Sequence, residues 1–459
     1  MKRFALDYLN EWKNRVSRKP LVVRGARQVG KSYLVRMFAE KAFDNSVEIN
    51  FERDRKIASL FENQSPAKIV KLLEIQYDKQ IVPGKTLLFL DEIQAAPEVF
   101  AKLRYFYEEM PGLHIIAAGS LLEFALNQAE FPTPVGRIEY LHLGPMSFDE
   151  FLLANGNENL FDFMRCHSVN DDIPDPMHEK LLGLYRTFVA LGGMPQVLKI
   201  FLDTGSYKES EIAKESIMQT FKDDFSKYGK RVNHQRLLKV FDRLAETVGR
   251  KFKYVNIDRD EQAKEIQKAL TLLEFAKIAY PVRHSSCNGI PLGAETDERN
   301  FKVLFLDVGL MLNSCGLSVL DVEKPCDIML VNSGAVAEQA VGQHLLHSQP
   351  FYKQPDLYYW MREKRNSEAE IDYVISEGAT IVPVEVKSGK TGRLKSLHQF
   401  IHAKKTRIAV RFNTQKPSCV QCADELPDGD VVKYSLISLP LYMAEEMRRL
   451  VNDAIGGQL

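Results

Sequence analysis

The chain has 459 residues, of which 45% are hydrophobic, and its 61 basic residues balance its 61 acidic residues. This length predicts about three domains with sizeable apolar cores. The net charge of zero argues against a protein that binds nucleic acid mainly through charge, although one basic groove is compatible with it. No stretch reaches the roughly 20 apolar residues of a membrane span, and the N-terminus lacks the apolar core of a secretory signal. We therefore expect a cytoplasmic protein without a membrane partner.

A glycine-rich loop near the start of the chain fits the pattern G-x-x-x-x-G-K-[ST], in the stretch VVRGARQVGKSYL at residues 22–34. The apolar run before it is typical of a buried parallel strand, and Tyr33 to Ala39 after it has helical spacing. Backbone N–H groups of such a loop point toward an anion at the helix N-terminus. The pattern predicts a nucleotide site, with Lys31 on the outer phosphates and Ser32 on Mg²⁺. The residues expected to contact the nucleotide are Gly25, Ala26, Arg27, Gln28, Val29, Gly30, Lys31, Ser32 and Tyr33.

Two further apolar runs end in polar residues. The first, TLLFLDEI at 86–93, ends in Asp91 and Glu92, about sixty positions after the loop lysine. A carboxylate at a strand end can hold Mg²⁺, and its neighbour can orient and deprotonate an attacking water. The alternative is an acidic cap on the next helix. The second run, LHIIAAGS at 113–120, ends in Ser120, which is placed to contact the γ-phosphate or the water, although a Gly-Ser pair is also an ordinary turn.

The segments KPLVVRGARQVGKSYL, LLFLDEIQ, HIIAAGSLLEF and GRIEYLHLGPMSFDEFL together resemble a widespread group of prokaryotic AAA-type ATPases. The C-terminal region of that group is a domain of unknown function. The resemblance extends through LGGMPQVL at 191–198 and NFKVLFLDVGLM at 300–311. It implies an AAA-type P-loop NTPase fold that binds ATP and Mg²⁺.

Individual positions take their implied roles from this resemblance. Walker A corresponds to Gly25 to Ser32, Walker B to Asp91 and Glu92, and a sensor position to Ser120. Arg137, in a Gly-Arg pair, is a candidate arginine sensor or finger that acts in cis or in trans, the latter within a homo-oligomer. The alternative of a surface arginine at a strand start has equal weight.

The middle of the chain is predicted to be helical. From about His178 to Tyr228 the apolar spacing is helical and is broken at Gly192 and Pro195, which predicts two helices that meet at a tight turn and form a lid. Helices around Leu237–Val248 and Glu261–Glu274, followed by two strand-like runs, have the outline of a winged helix. Such a domain either places a helix in a DNA groove or connects proteins, and the second helix balances its lysines with acids.

The C-terminal third contains a second set of acidic residues. Glu338 lies in the helix-like segment GAVAEQAVGQHLL, Asp372 in the strand-like EIDYVI, and Glu385 and Lys387 in the strand-like VPVEVKSG. Residues two apart in a strand share a face, so the last two side chains can bind a metal and position a water. The arrangement resembles the PD-(D/E)xK nuclease superfamily, with Gln399 on the following helix. It predicts metal ligands at Glu338, Asp372 and Glu385 and a catalytic Lys387. A solvated strand face, or a nuclease-like fold that does not cut, are the alternatives.

The sequence thus predicts an α/β protein of four regions. These are an AAA-type P-loop ATPase domain at 1–155, a helical lid at 156–230, a winged-helix-like domain at 231–330 and a PD-(D/E)xK-like domain at 331–459. Two functions remain open. In one, the nucleotide state gates a metal-dependent nuclease that acts on or binds DNA or RNA. In the other, the protein is an ATP-dependent switch whose catalytically silent C-terminal domain recognises a partner.

Overall fold

A computed structural model describes residues 1–126, 133–227, 232–317, 334–364, 367–389, 394–425 and 431–456, apart from the side chains of residues 363–368. The domain boundaries expected at 230/231 and 330/331 lie outside the described residues. The helices are α1 Ala5–Asn14, α2 Lys31–Ala42, α3 Pro66–Tyr77, α4 Pro97–Glu109, α5 Leu122–Leu126, α6 Phe148–Ala154, α7 Glu158–Cys166, α8 Asp175–Leu191, α9 Pro195–Thr204, α10 Tyr207–Asp224, α11 His234–Leu244, α12 Tyr254–Ile257, α13 Ala263–Phe275, α14 Val308–Ser314, α15 Ala335–His347, α16 Lys395–Lys404 and α17 Met447–Gly456. The strands are β1 Leu21–Arg24, β2 Asn45–Asn50, β3 Thr86–Asp91, β4 His114–Ala118, β5 Glu139–His142, β6 Ala279–Ser285, β7 Thr296–Phe305, β8 Tyr358–Lys364, β9 Ser367–Glu377, β10 Thr380–Val386, β11 Ile408–Asn413, β12 Ser418–Glu425 and β13 Val431–Pro440.

The N-terminal sheet has the strand order β2-β3-β4-β1-β5, and every neighbouring pair is parallel. Alternate residues of β1 face opposite sides, as the period of a strand requires. Val23 packs in one core with Phe38 of α2, whereas Val22 packs in another with Phe100 of α4. Helices therefore cover both faces, which explains why the strands are almost continuously apolar. The α/β fold expected around the glycine loop is confirmed, and the carboxyl ends of β1, β3 and β4 meet at one edge.

The middle region has the helix break that the spacing predicts. Helix α8 ends before Gly192, whose φ of 80° favours glycine, and α9 begins at Pro195. A Cβ atom on Gly192 would lie 2.1 Å from Oδ1 of Asp307, so the turn also needs the absence of a side chain. A third helix, α10, completes this helical layer and was not predicted as a separate element.

The C-terminal sheet combines strands from two predicted domains. Its order is β12-β13-β11-β10-β9-β8-β6-β7, and β6 pairs with β7 antiparallel and with β8 parallel. The hairpin predicted as the wing therefore continues the sheet of the last region. Helix α15 is fastened to the end of β7, because the side chain of Gln339 bonds both the N–H and the carbonyl of Phe305, at 2.9 and 2.7 Å.

A largely buried carboxylate joins the C-terminal region to α6 and α15. Glu445, just before α17, accepts a hydrogen bond of 2.7 Å from the backbone N–H of Phe148 at the start of α6, and it also lies 2.9 Å from His344 of α15. An acid at a helix N-terminus is favourable because of the helix dipole. None of the helices in the described ranges has the length and apolar character needed to cross a membrane.

Candidate functional site

The glycine loop between β1 and α2 is tightly constrained by its surroundings. A Cβ atom on Gly25 would lie 2.2 Å from the carbonyl oxygen of Leu143, so a side chain there would force the loop away from β5. Gly30, with φ of 91°, is the last residue before α2 and turns the backbone into the helix. The loop N–H groups and the first turn of α2 therefore converge where an anion is favoured.

A buried arginine outside the motif supports the back of this loop. Arg3 donates to the carbonyl oxygens of Val29 at 3.0 Å and Gly144 at 2.9 Å, and its guanidinium pairs with Glu150 at 3.0 Å. Because three acceptors satisfy one buried cation, the loop is anchored to α6. Sequence reasoning missed Arg3, since a lone arginine near the N-terminus belongs to no motif.

Lys31 lies against the loop that precedes it. Its Nζ donates to the carbonyl oxygens of Gly25 at 3.0 Å and Ala26 at 2.7 Å. Burial lowers the pKa of Lys31 to about 8, and the nearby Glu92 and Asp91 oppose that shift. Neutral carbonyl groups therefore hold the ammonium group beside the position where the loop N–H groups converge. A phosphate bound there can replace these carbonyls as the acceptor.

The end of β3 supplies oxygen ligands beside the loop. The hydroxyl of Ser32 lies 3.1 Å from each carboxylate oxygen of Asp91, and the amide of Asn50 donates to the same carboxylate at 3.3 Å. Burial and the neighbouring Glu92 raise the pKa of Asp91. Hydroxyl and carboxylate oxygens are ligands that Mg²⁺ uses, so Ser32 and Asp91 fit this ion. Asn50 was not predicted, because β2 carries no recognisable motif.

Glu92 links the ends of two neighbouring strands. Its carboxylate accepts hydrogen bonds from the N–H of Ser120 at 3.3 Å, from the hydroxyl of Ser120 at 3.2 Å and from the amide of Gln94 at 2.7 Å. Its backbone φ is 50°, a conformation that residues other than glycine adopt at some cost and that often marks functional positions. The structure therefore brings together Lys31, Ser32, Asp91, Glu92 and Ser120, as the sequence predicts.

Two helices of the middle region reach the same loop. Arg27 forms an ion pair with Asp224 at the end of α10, whose side chain is only 6% exposed. Pro195, the first residue of α9, lies 3.6 Å from the position of a Cβ atom on Gly30. The loop is thus in contact with α9 and α10, which the sequence predicts as part of a lid. By contrast, Tyr33 on α2 is 58% exposed.

Arg137 lies at the protein surface. Its side chain is 41% exposed and its Nε donates to Glu108 of α4 at 2.8 Å. Its backbone N–H also donates to the carbonyl oxygen of Pro134 at 3.1 Å. This position agrees with the alternative of a surface arginine, while a role across a subunit boundary stays a prediction.

The predicted C-terminal residues converge on one side of the second sheet. Glu338 extends from α15, Asp372 from β9 and Glu385 from β10, and Lys387 forms an ion pair with Glu385. Asp372 accepts a hydrogen bond of 2.7 Å from the N–H of Val386. Burial raises the pKa of Glu338 and that of Glu385 to about 7 each, and repulsion by Asp372 adds to both shifts. Gln399 of α16 is half-buried.

A lysine from another region lies among these carboxylates. The Nζ of Lys302, on β7, is 2.9 Å from Glu338, 2.5 Å from Glu370 and 3.8 Å from Asp372. The side chain of Lys302 is 3% exposed. Neither Lys302 nor Glu370 was predicted, because the segment KVLFLDV has only the alternation of a strand. Within the described ranges, no group of three or more His, Cys, Asp or Glu side chains is arranged to hold a metal. In this arrangement the carboxylates do not fit the metal that a PD-(D/E)xK nuclease requires.

Comparison with family models divides the chain in three. Residues 17–152 match the AAA domain. Residues 182–321 match a domain of unknown function (DUF8612), and residues 333–440 match another (DUF4143). None of the curated proteins matches the chain.

Several solved structures are similar at low sequence identity. A Walker-type ATPase of Pyrococcus abyssi is 17% identical, with 69% of this chain and 95% of that chain covered and a TM-score of 0.44. The ORC2 protein of Aeropyrum pernix, in ADPNP–ADP complexes, is 12% identical, with 68% and 91% covered and a TM-score of 0.32. The ORC1 protein of the same organism, in complex with DNA, is 12% identical over the same shares, with a TM-score of 0.28. At such TM-scores the domain match and the loop geometry carry the assignment. The chain therefore contains an AAA-type P-loop ATPase domain over residues 17–152.

Proposed function

We propose that this protein binds ATP with Mg²⁺ and hydrolyses it at the carboxyl edge of the parallel sheet. The observation that carries this proposal is the contact of the Ser32 hydroxyl with both carboxylate oxygens of Asp91, at 3.1 Å each, directly beside the glycine loop. A hydroxyl from the helix and a carboxylate from the strand are the pair that holds the ion in P-loop NTPases.

Each residue then has a defined task. The loop N–H groups and the dipole of α2 bind the phosphates, and Lys31 exchanges its loop carbonyls for phosphate oxygens. Ser32 and Asp91 hold Mg²⁺, which neutralises charge on the phosphates when bound. Glu92 aligns a water and accepts its proton, and Ser120 keeps the Glu92 carboxylate in place through two hydrogen bonds.

A chain of buried contacts supports a coupling between this site and the C-terminal region. The N–H of Gly193, in the lid turn, donates to Asp307 at 2.6 Å, and the side chain of Gln343 on α15 donates to the same carboxylate at 3.3 Å. Pro195, two residues after this turn, faces the glycine loop. A movement of the lid on nucleotide binding would therefore be passed to α15, which also carries Glu338.

We infer that the remaining regions are a winged-helix-like and a PD-(D/E)xK-like domain. The order α11, α13, β6, β7 supports the first. The order α15, β8, β9, β10, α16, β11 supports the second, together with antiparallel pairing of β8–β9 and β9–β10 and parallel pairing of β10–β11. We keep the domains at 1–155, 156–230, 231–330 and 331–459 as the proposal, with the β6–β7 hairpin of the third region joined to the sheet of the fourth.

Between the two functions left open by the sequence, we propose the ATP-dependent switch. The specific observation in its favour is Lys302, which places a positive charge among the carboxylates that a nuclease would use for metal. A cation held there by ion pairs competes with a metal for the same oxygens. The C-terminal domain would then recognise a nucleic acid or a protein partner without cutting.

Two assays on the full chain test this function. Phosphate release from ATP should require Mg²⁺ and should be abolished in Asp91→Asn, whereas the surface control Asp203→Asn should behave as wild type. Labelled single- and double-stranded DNA and RNA should stay intact with Mn²⁺, with or without ATP. Cutting that disappears in Asp372→Ala would establish the nuclease instead, and hydrolysis that persists in Asp91→Asn would remove the ATPase site from this edge.

A further inference from the structure

We propose that Lys302 is the built-in cation of the C-terminal acid cluster, defined as Glu338, Glu370, Asp372 and Glu385, and that removal of this lysine converts the cluster into a divalent-metal site. The inference rests on the silent C-terminal domain proposed above. It identifies Lys302 as the residue that keeps a metal out of the cluster, and a divalent ion as the cation that would bind there once the lysine is removed.

The geometry places the lysine where a metal would have to stand. Its Nζ is within 4 Å of three carboxylates from two different elements, namely Glu338 of α15 and Glu370 and Asp372 of β9. It also lies 5.5 Å from the ring centre of Tyr359, on the strand next to β9. A buried ammonium is costly unless several acceptors surround it, so this placement is specific and not a chance contact.

The charges of the cluster give the same result. Four carboxylates face two lysines, since Lys387 pairs with Glu385 and Lys302 with the other three. Two cations against four acids leave the cluster with an excess of negative charge. Without Lys302, the same oxygens would carry the charge and the ligand types that a divalent ion takes.

The lysine and the acids belong to different parts of the chain. Lys302 lies in the range 182–321 that matches one domain of unknown function, whereas the acid cluster lies in the range 333–440 that matches another. β7 is the last strand of its sheet, and its ion pairs hold the β6–β7 hairpin against α15 and β9. The cluster is therefore shared between the two ranges, with the lysine from one and the acids from the other.

The test is Mn²⁺ binding to the full chain without nucleotide, measured by the loss of the free-ion electron paramagnetic resonance signal. Each variant is made in an Asp91→Asn background, so that the ATP site does not contribute. Lys302→Met should bind Mn²⁺ at least about tenfold more tightly than the background protein. The substitution removes the positive charge that repels the ion and competes with it for the carboxylate oxygens. The gain should be lost when Asp372→Asn is added. Lys302→Arg keeps the charge and should show no gain.

Lys214→Met is the matched control, because Lys214 is equally buried and also pairs with an acid, Glu211 at 2.5 Å, but lies in the lid. It should leave Mn²⁺ binding unchanged. A folded Lys302→Met that binds Mn²⁺ no better than its background would overturn the proposal, and so would an equal gain in Lys214→Met.

A second measurement does not depend on the folding of Lys302→Met. The Asp91→Asn protein with Lys302 intact should not be stabilised by millimolar Mn²⁺ in thermal unfolding. Stabilisation that vanishes in Asp372→Asn would show that the ion enters beside the lysine and would overturn the proposal. ATP hydrolysis by the wild-type chain is recorded separately, so a failed ATPase proposal is not confused with a failed lysine proposal.

Discussion

The proposed ATP site and the acid cluster both place carboxylates on buried strands, yet their partners differ. Asp91 contacts neutral groups, namely the Ser32 hydroxyl and the Asn50 amide. The acid cluster instead surrounds the ammonium group of Lys302. Neutral donors leave the negative charge of a carboxylate available for an incoming ion, whereas a lysine neutralises that charge by forming an ion pair. Similar acidic residues can therefore form a metal-dependent site in one region and a closed one in another.

The largest effect that would sharpen this comparison is expected for Lys31→Ala. Two charge-assisted hydrogen bonds to phosphate would be lost, which corresponds to a decrease in ATP affinity of at least about a hundredfold. Lys41→Ala, near the end of the same helix and exposed, serves as the control and should bind normally. Fluorescent nucleotide titration measures both. Unchanged affinity in Lys31→Ala would remove the glycine loop from the site.

Glu92→Gln separates binding from turnover within the ATP site. The amide keeps the size of the side chain but cannot accept a proton, so kcat should fall about a hundredfold while nucleotide affinity stays within a factor of about two. Single-turnover hydrolysis and equilibrium binding give the two quantities. If Glu92→Gln hydrolyses ATP at the wild-type rate, the base must be assigned to another residue.

Acidification should affect the two regions in opposite directions. In the parallel sheet, burial lowers the pKa of His114 and of His142 to about 4, so each stabilises the fold fully above pH 6.5 and loses that contribution as the pH falls toward 4. In the acid cluster, Glu338 and Glu385 have raised pKa values of about 7. Their contribution to stability is complete below about pH 4.5 and is lost as the pH rises through 7.

Hydrogen exchange, corrected for its intrinsic pH dependence, measures this difference locally. Between pH 7.5 and 5.5 the opening free energy of β4 and β5 should fall by about 1 kcal/mol, while that of β9 and β10 should rise by a similar amount. His142→Gln should reduce the change in β5. If the opening free energies of the two sheets change in the same direction with pH, the assignment of neutral histidines to one sheet and protonated carboxyls to the other is wrong.

The smallest expected effect concerns the contact between α10 and the glycine loop. Arg27→Ala removes the ion pair with Asp224, and nucleotide affinity should fall about fivefold, because the loop loses one of its anchors. Arg27→Lys keeps the charge and should recover part of the affinity. A double-mutant cycle with Asp224→Asn should show coupling, and additive effects would indicate that the two residues act independently.

Local patterns predicted much of the fold and of the ATP site. The sequence predicted the strand from Leu21, the strand ending at Asp91 and the helix break at Gly192. Each of these features depends only on residues that are close together in the sequence. The residues that were missed act across large sequence separations. Arg3 contacts Gly144 over 141 positions, and Lys302 contacts Glu338 over 36. Such contacts arise from tertiary packing, and the apolar spacing along the sequence cannot predict them.

The most direct measurement is the number of Mn²⁺ ions bound per wild-type chain, determined with and without a non-hydrolysable ATP analogue. We expect one ion per chain in the presence of the analogue, lost in Asp91→Asn, and none in its absence. A second ion that is independent of the analogue and disappears in Asp372→Asn would contradict the difference between the ATP site and the acid cluster.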